Sequence, residues 1–338
     1  MSKNTGLYGY TGDLVLQDTE ALSSTYFKEI TKICDYEHVD LIINLESPFI
    51  TDEFVSIKDK ICLGANYKTV DKLMSLSPSL INLSNNHTND YGMSGVVLTE
   101  QILAEHNFKY FGVGKPDSNN HIHYTSDSLV NVAYTLRSAD QSGSRLFATQ
   151  DIDGPKNLDL NEIKKLRDEN KNKNLVVSIH GGFEDIKIPD FETRSIAKQI
   201  IDAGADLVIG HHSHIIQPME IYKGKMIFYS LGNFFFPRIK YLFRDKIFYK
   251  QPLKHQRKGI VPIFDFSNGV RLHKILEVYN TDEGQIVQDL KISNIVKSEW
   301  YYQLFPVLHR KNETIRLVKY YPKRAMEKVL TCLKLKKN

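Results

Sequence analysis

The sequence has too little of several features that would place it in common protein classes. It contains only three cysteines, at positions 34, 62 and 332, and they are widely spaced. Three scattered cysteines cannot form a disulfide framework or a thiolate metal site, so we expect free thiols in a reducing compartment. No apolar run approaches the roughly 20 residues that cross a bilayer, and the first residues do not resemble a signal peptide. We therefore expect a soluble or peripherally attached protein.

Several catalytic motifs are also missing from the chain. It has no Gly-x-Ser-x-Gly elbow, no Walker-type phosphate loop and no Gly-x-Gly-x-x-Gly after a predicted strand. Gly112-Val-Gly114 is too short for a dinucleotide fingerprint, so we interpret it as a loop. These absences argue against a serine hydrolase of the elbow type, a P-loop enzyme and a nicotinamide-dependent dehydrogenase.

The positive charge is concentrated in two segments, although the formal net charge is only +4. Residues 238–258 contain eight Lys or Arg against one acid, Asp245, and residues 310–338 contain ten against two Glu. Basic segments suit anionic partners, although a solvated surface is the more common explanation. The second segment also carries aromatic and aliphatic residues, which fits either an interfacial helix on anionic lipid or a basic helix docked on the domain.

Short β-rich runs alternate with amphipathic stretches over the first 230 residues, which predicts an α/β architecture. Strands are predicted at residues 7–16, 39–45, 80–83, 110–113, 129–136, 175–179, 206–209 and 225–230. Helices are predicted at residues 23–35, 66–76, 94–107, 161–170 and 191–203. After Gly259, strands at residues 260–266, 270–278 and 284–292 follow one another without helices, which predicts a β-meander. A helical tail is expected from Trp300 onward.

Polar side chains of one chemical kind gather at the ends of five predicted strands. The segments are Thr11-Gly-Asp13, Asn44-Leu-Glu46, Ser84 to Gly92, His180 to Glu184 and His211 to His214. Proteins of the α/β class place their chemistry just beyond the carboxyl ends of such strands. Oxygen and imidazole donors suit divalent Mn, Zn or Fe, and His212 and His214 can point the same way from an extended segment. An isolated His-x-His could equally be a solvated loop, so the repetition carries the argument.

These segments strongly resemble the CapA family of bacterial capsule or poly-γ-glutamate biosynthesis proteins. The resemblance rests on Asn44-Leu-Glu46, Asn85-Asn-His-x-x-Asp-x-Gly92, His180-Gly-Gly-x-Glu184, Gly204 to His214 and Tyr229-Ser-Leu-Gly-Asn-Phe234. That family is similar in fold to calcineurin-like metallophosphoesterases. The resemblance covers about residues 6–293 and implies a four-layer α/β/β/α sandwich over residues 1–298, closed by the β-meander, with the basic helical tail at residues 299–338.

The resemblance implies a role for each polar residue. One metal would be held by Asp13 and His214, a second by Asn86, His180 and His212, and Glu46 would bridge them. His87 would protonate the leaving group, with Asp90 orienting it. Residues around the site would order the ligands or contact substrate: Asn85, Glu184, His211 and Asn233.

Each assignment has a simpler structural alternative. Asp13, Asn85 and Asn86 could stabilise turns, and Asn233 could bond to the backbone. Glu46 and Glu184 could be solvated carboxylates. The usual Asp-x-His opening of the wider superfamily is also absent, because Leu14 and Val15 follow Asp13. One metal therefore lacks an imidazole, and either one or two ions are expected.

The function implied is a metal-dependent, phosphoesterase-like hydrolase that makes or processes an anionic surface polymer, either poly-γ-glutamate or a phosphorylated glycan. Residues 238–258 would form a flexible lip that attracts this polyanion. The main alternative is a non-catalytic, metal-containing scaffold or polymer-binding subunit. A nucleotide or nucleic-acid phosphoesterase ranks lower, and no specific nucleic acid is expected as a partner. The expected location is the cytoplasm, with peripheral contact to the inner membrane through the tail.

Overall fold

The secondary structure was assigned from a computed structural model, which describes residues 6–17, 22–58, 60–139, 147–244, 246–297 and 301–302. The chain divides into one unit of residues 1–296 and another of residues 297–338. The strands are β1 Leu7–Leu14, β2 Asp40–Leu45, β3 Phe49–Ile50, β4 Ala65–Asn66, β5 Leu80–Asn82, β6 Tyr110–Phe111, β7 Ile122–Ser126, β8 Leu129–Thr135, β9 Asn174–His180, β10 Leu207–His211, β11 Met219–Tyr222, β12 Lys225–Phe228, β13 Asn233–Phe235, β14 Ile239–Phe243, β15 Lys246–Lys250, β16 Lys258–Asp265, β17 Arg271–Asn280 and β18 Gln285–Asp289. The α-helices are α1 Lys28–Glu37, α2 Val70–Leu76, α3 Gly92–Glu105, α4 Leu160–Glu169 and α5 Phe191–Asp202.

Two mixed sheets form the first unit. The larger has the order β18-β17-β16-β1-β2-β5-β6, with β13 also paired to β1. In it β1, β2, β5 and β6 are parallel, while β16, β17 and β18 form the antiparallel meander predicted from the sequence. The second sheet has the order β11-β12-β10-β9-β8-β7, and its four central strands are parallel. The α/β prediction is therefore confirmed.

Helices cover the outer faces of both sheets, and this produces four layers. Between the sheets, Tyr10 and Phe264 pack with Val176, Leu207 and Phe228. On the outer face of the larger sheet, helix residues pack against strand residues in a separate core that includes Ile30, Leu73, Leu103, Ile43 and Ile81. On the other side, α5 packs against β10 and β12. The α/β/β/α sandwich that the resemblance implied is confirmed.

The segment between β12 and β13 joins the two sheets at the edge where the parallel strands end. A Cβ atom on Gly210 would lie 2.1 Å from the carbonyl oxygen of Tyr229, and one on Gly12 would lie 2.1 Å from that of Gly232. Real side chains do not tolerate such contacts, so β1 and β10 need glycine where this segment crosses them. The close approach brings the ends of β1 and β10 together.

The structure differs from the sequence prediction at the start of α1 and in residues 238–258. Helix α1 begins at Lys28 and not at residue 23, because residues 24–27 form turns that bury Tyr26 and Phe27 against Phe235. Residues 238–258, for which no strand was predicted, contain the hairpin β14–β15 and a short 3₁₀ helix, and their role as a flexible lip stays a prediction. Except for Tyr301 and Tyr302, the predicted tail at residues 299–338 lies outside the described residues, so its helix and the domain boundary stay predictions. Among the described helices, none has the length and apolar character needed to cross a bilayer.

A buried carboxylate fastens α5 to the second sheet. Glu220 on β11 is 3% exposed and accepts two hydrogen bonds of 2.8 Å from Arg194. Tyr229 donates to it at 2.7 Å, and Lys198 lies 2.9 Å away. Burial raises the pKa of Glu220, but these donors outweigh burial and lower the pKa to about 2. The folded state therefore favours the ionised form.

We predict that Glu220→Gln destabilises the protein by about 3 kcal/mol at pH 7, because it leaves the partly buried Arg194 and Lys198 without their counter-charge. A depressed carboxyl pKa contributes stability that is present above the unfolded value and is lost as the pH falls through the folded value. The loss of unfolding free energy caused by Glu220→Gln should therefore become smaller as the pH falls from about 4.5 towards about 2. Urea unfolding over a pH series measures it, and Glu53→Gln, an exposed carboxylate, is the control. A deficit that does not change with pH would contradict this account.

Candidate metal centre

Asp13 lies at the end of β1, where the pairing with β13 shifts by a residue. Its side chain is fully buried, and its two oxygens accept from the Asn44 amide at 2.8 Å and the His212 backbone N–H at 3.2 Å. His211 Nδ1 and His214 Nδ1 each lie 3.3 Å from one of these oxygens. Burial raises the pKa of Asp13, but the adjacent imidazoles of His211 and His214 outweigh burial and hold the pKa well below its usual value. Asp13 is therefore an ionised carboxylate between two histidines.

Glu46, just after β2, is the central carboxylate of the site. It is fully buried, and neither of its carboxylate oxygens has a hydrogen-bond partner. One oxygen lies 3.5 Å from His180 Nε2 and 3.7 Å from His214 Nε2. Burial raises the pKa of Glu46 well above its usual value. An unpaired buried carboxylate is costly, so this position fits a bound cation.

A second group of donors lies on the other side of Glu46. Asn86 Oδ1 is 2.8 Å from His180 Nε2, and His212 Nδ1 is 3.2 Å from the same nitrogen. Tetrahedral ligands at 2.0–2.1 Å from a metal are separated by about 3.3 to 3.4 Å, which is close to these spacings. Burial, reinforced by neighbouring imidazoles, lowers the pKa of His180, and burial lowers that of His212 to about 4. Both rings are therefore neutral at pH 7 and have a lone pair for a metal.

The backbone aims the histidines in a way that the sequence did not indicate. Strand β10 ends at His211, and both His212 and His214 have left-handed backbones, with φ of 91° and 58°. The prediction of an extended segment was wrong here, although both side chains do point into the site. Non-glycine residues adopt such conformations only where the surrounding structure holds them.

His87 and Asp90 form a buried pair beside the second group. Asp90 accepts from His87 Nδ1, from Lys60 and from the Leu63 backbone N–H, each at 2.6 Å. Lys60 is itself buried and also donates to the carbonyl oxygen of Asn86. The sequence prediction missed Lys60, because it lies in a loop with no recognisable spacing to the loop that it contacts.

Three of the predicted surrounding residues support the loops of the site. Asn85 donates to the carbonyl oxygen of Leu45 at 2.8 Å and so ties its loop to β2. Asn233 lies 3.1 Å from His214 Nδ1 and donates to the carbonyl oxygen of the same histidine. For Glu184, burial raises the pKa, but the charges of His214 and His212 lower it overall, so this carboxylate is near both rings.

The structure brings all six predicted ligands together. Glu46, His180 and His212 form one buried group, and Asp13, Glu46 and His214 form another, each with ligand atoms within 4.8 Å of one another. Asn86 adds a fourth donor to the first group. His211 Nδ1, which is buried without a hydrogen-bond partner, lies next to the second. The donors and the unpaired carboxylate fit one or two divalent ions, and the residues do not identify the metal.

Comparisons with known proteins identify a family whose match includes this part of the chain. The profile of the family described as bacterial capsule synthesis protein PGA_cap matches residues 10–238, which contain every predicted ligand. The PGA biosynthesis protein CapA of Bacillus subtilis (strain 168) is 32% identical over 244 residues, covering 69% of this chain and 62% of that protein. The capsule biosynthesis protein CapA of Bacillus anthracis is 35% identical over 204 residues, covering 57% of this chain and 49% of that protein.

The chain thus spans 62% and 49% of the lengths of these two relatives. Among solved structures, TT1561 of Thermus thermophilus shares 10% identity at a TM-score of 0.41, covering 73% of this chain and 99% of that one. A likeness at that TM-score supports no argument about function. The family profile is decisive, because it matches more than half of the chain. The chain therefore belongs to the CapA family of bacterial capsule and poly-γ-glutamate biosynthesis proteins.

Proposed function

We propose that this chain is a metal-dependent, phosphoesterase-like hydrolase that acts on an anionic polymer in capsule or poly-γ-glutamate synthesis. The observation that carries the proposal is Glu46, a fully buried carboxylate without a hydrogen-bond partner between two groups of metal-binding donors. If the site were only structural, the Glu46 carboxylate would be expected to have a hydrogen-bond partner. A cation between the two sets of donors would balance its charge.

The proposed ligands are the six residues predicted from the sequence: Asp13, Glu46, Asn86, His180, His212 and His214. A divalent ion there would polarise a phosphoryl oxygen and lower the pKa of bound water. His87 would be the general acid. Its Nδ1 is held by Asp90, while its Nε2 lies 3.2 Å from the side-chain nitrogen of Asn86 and accepts from it. Nε2 would therefore have to gain a proton and leave this contact before it protonates a leaving group. Lys60 fixes Asp90 and thereby the ring.

The second candidate is a metal-containing scaffold or polymer-binding subunit without turnover. One observation favours it: Leu14 and Val15, fully buried, stand where the wider superfamily has an imidazole after the first aspartate. The group around Asp13 then has three donors, compared with four around His180. A centre that binds one ion firmly and the other weakly suits recognition as well as hydrolysis.

We also propose that His211 is the fourth donor of the Asp13 group. Its Nδ1 is buried without a hydrogen-bond partner and lies 3.3 Å from Asp13, the same distance as His214 Nδ1. An unpaired buried nitrogen beside a carboxylate is costly unless a ligand completes it. His211 would compensate for the imidazole that is missing after Asp13.

The first prediction concerns metal affinity. His180→Ala should weaken binding of the tighter Mn²⁺ or Zn²⁺ ion by at least about 100-fold, because it removes one of the four proposed ligands of that ion. Calorimetric titration and metal analysis of the purified protein measure the effect. The matched control is His121→Ala, which removes a buried histidine bound instead to Glu162. Equal affinity in the two variants would rule out the proposed ligand set.

The second prediction separates hydrolase from scaffold. If the metal-loaded protein cleaves phosphoesters or γ-glutamyl polymer, His87→Ala should lower kcat by about 10² to 10⁴ and leave the metal content unchanged. Turnover is measured at saturating metal for both proteins. Metal binding without turnover on any of these substrates would instead support the scaffold.

The third prediction tests His211 through the spectrum of bound Co²⁺ and not through activity. His211→Ala should bind the first Co²⁺ as the unchanged protein does and the second at least about tenfold more weakly, with a changed visible absorption band for the second ion. His121→Ala again serves as the control. Two Co²⁺ ions bound with unchanged affinities and spectra would show that His211 is not a ligand.

A further inference from the structure

The hairpin of β14 and β15 exposes apolar side chains on both of its faces. Ile247, Phe248 and Tyr249 are consecutive, and 52%, 48% and 53% of their surfaces are exposed. Consecutive residues of a strand point to opposite faces. Leu242 pairs with Ile247 on one face, and Tyr241 pairs with Phe248 on the other. We call residues 239–250 the ribbon.

The root of the ribbon is fixed to the body of the protein. Ile239 is fully buried in a small core with Val15, Leu63 and Phe236. Leu242 exchanges two backbone hydrogen bonds with Cys62, so β14 is covered on its outer edge. Strand β15 has β14 as its partner, and its first four residues are exposed. The ribbon is therefore held to the body along β14, and β15 is its outer, exposed strand.

Positive charge surrounds the apolar residues. Lys240, Arg244, Lys246 and Lys254 are exposed, and the guanidinium of Arg238 lies 4.3 Å from the centre of the Tyr249 ring. Asp245 is the single acid in residues 238–258. Basic residues around exposed aromatic and aliphatic side chains match the interface of an anionic bilayer, where the charges meet headgroups and the apolar groups reach the acyl boundary.

We propose that the ribbon docks the protein on an anionic lipid bilayer by inserting its outer strand β15 into the headgroup region. On this strand Ile247 and Phe248 are exposed on opposite faces, and this decides between lipid and other partners. A partner protein or a second copy of the chain would cover one face of the ribbon or pair with the outer edge of β15. A polyanion would bind the Lys and Arg side chains and would not require exposed apolar residues. A bilayer interface surrounds an inserted ribbon, so it buries Ile247 and Phe248 at once. An exposed two-stranded ribbon is also marginally stable in water, which insertion would remedy.

The test measures where each face lies. Full-length protein carrying Trp300→Phe is given one new tryptophan, by Ile247→Trp, by Phe248→Trp or, as the control, by Ile221→Trp. Ile221 is 55% exposed on the distant strand β11. The vesicles contain phosphatidylcholine and phosphatidylglycerol with brominated acyl chains, which quench a tryptophan that enters the bilayer. Fluorescence of both ribbon variants should be quenched, and that of the Ile221→Trp control should not. Quenching of only one ribbon variant, or of neither, would overturn insertion.

Sedimentation with the same vesicles provides the affinity. The partition coefficient of the double variant Ile247→Ser with Phe248→Ser between vesicles and water should be at least about tenfold lower than that of the unchanged protein. Lys240→Glu with Lys246→Glu should bind less and with a weaker dependence on salt, whereas Ile221→Ser should bind as the unchanged protein does. Binding that survives both double variants would assign any membrane contact to another part of the chain. Self-association or polyglutamate binding that requires Ile247 and Phe248, without vesicle binding, would also overturn the proposal. None of these readouts depends on metal or turnover.

Discussion

Three carboxylates buried in one region are the constraint on which the rest of this structure depends. Asp13, Glu46 and Asp90 are each fully buried, and a buried carboxylate must be neutralised by a partner or it destabilises the fold. Asp90 has Lys60 and His87, and Asp13 has His211 and His214. Glu46 has no hydrogen-bond partner. The surrounding protein is therefore arranged to balance all but one of these charges, and the proposed cation would balance the remaining one.

The fold concentrates these groups because it brings two sheets to a common edge. Strands β1 and β2 deliver Asp13 and Glu46 from one sheet, while β9 and β10 deliver the histidines from the other. The segment of residues 229–233 holds the edges together, and glycines at 12 and 210 let its backbone approach. Asn233, at the end of this segment, orders His214. Packing of the sandwich and geometry of the site are thus set by the same few backbone contacts.

The sequence predicted which polar side chains lie together because each follows a buried strand, and strand ends in α/β proteins meet at one edge. It did not predict the position of Lys60, since its contact with Asp90 joins two loops and loop positions carry no periodic signal. The left-handed backbone of His212 and His214 was also hidden, because it is imposed by tertiary contacts and not by residue type. The hairpin was missed because apolar residues on both faces remove the alternation that identifies a strand.

Phe236 packs against both the root of the ribbon and a histidine of the candidate metal centre. The centre of its ring lies 4.7 Å from that of His214, and Phe236 belongs to the core that fixes the root of the ribbon. Each strand of the ribbon has five residues, which corresponds to about 16 Å at 3.2–3.4 Å per residue. Insertion of β15 would therefore place the lipid surface along this length of the ribbon, and Phe236 would connect the ribbon to the candidate metal centre. The proposed hydrolase would then favour polymer held at the membrane over polymer free in solution.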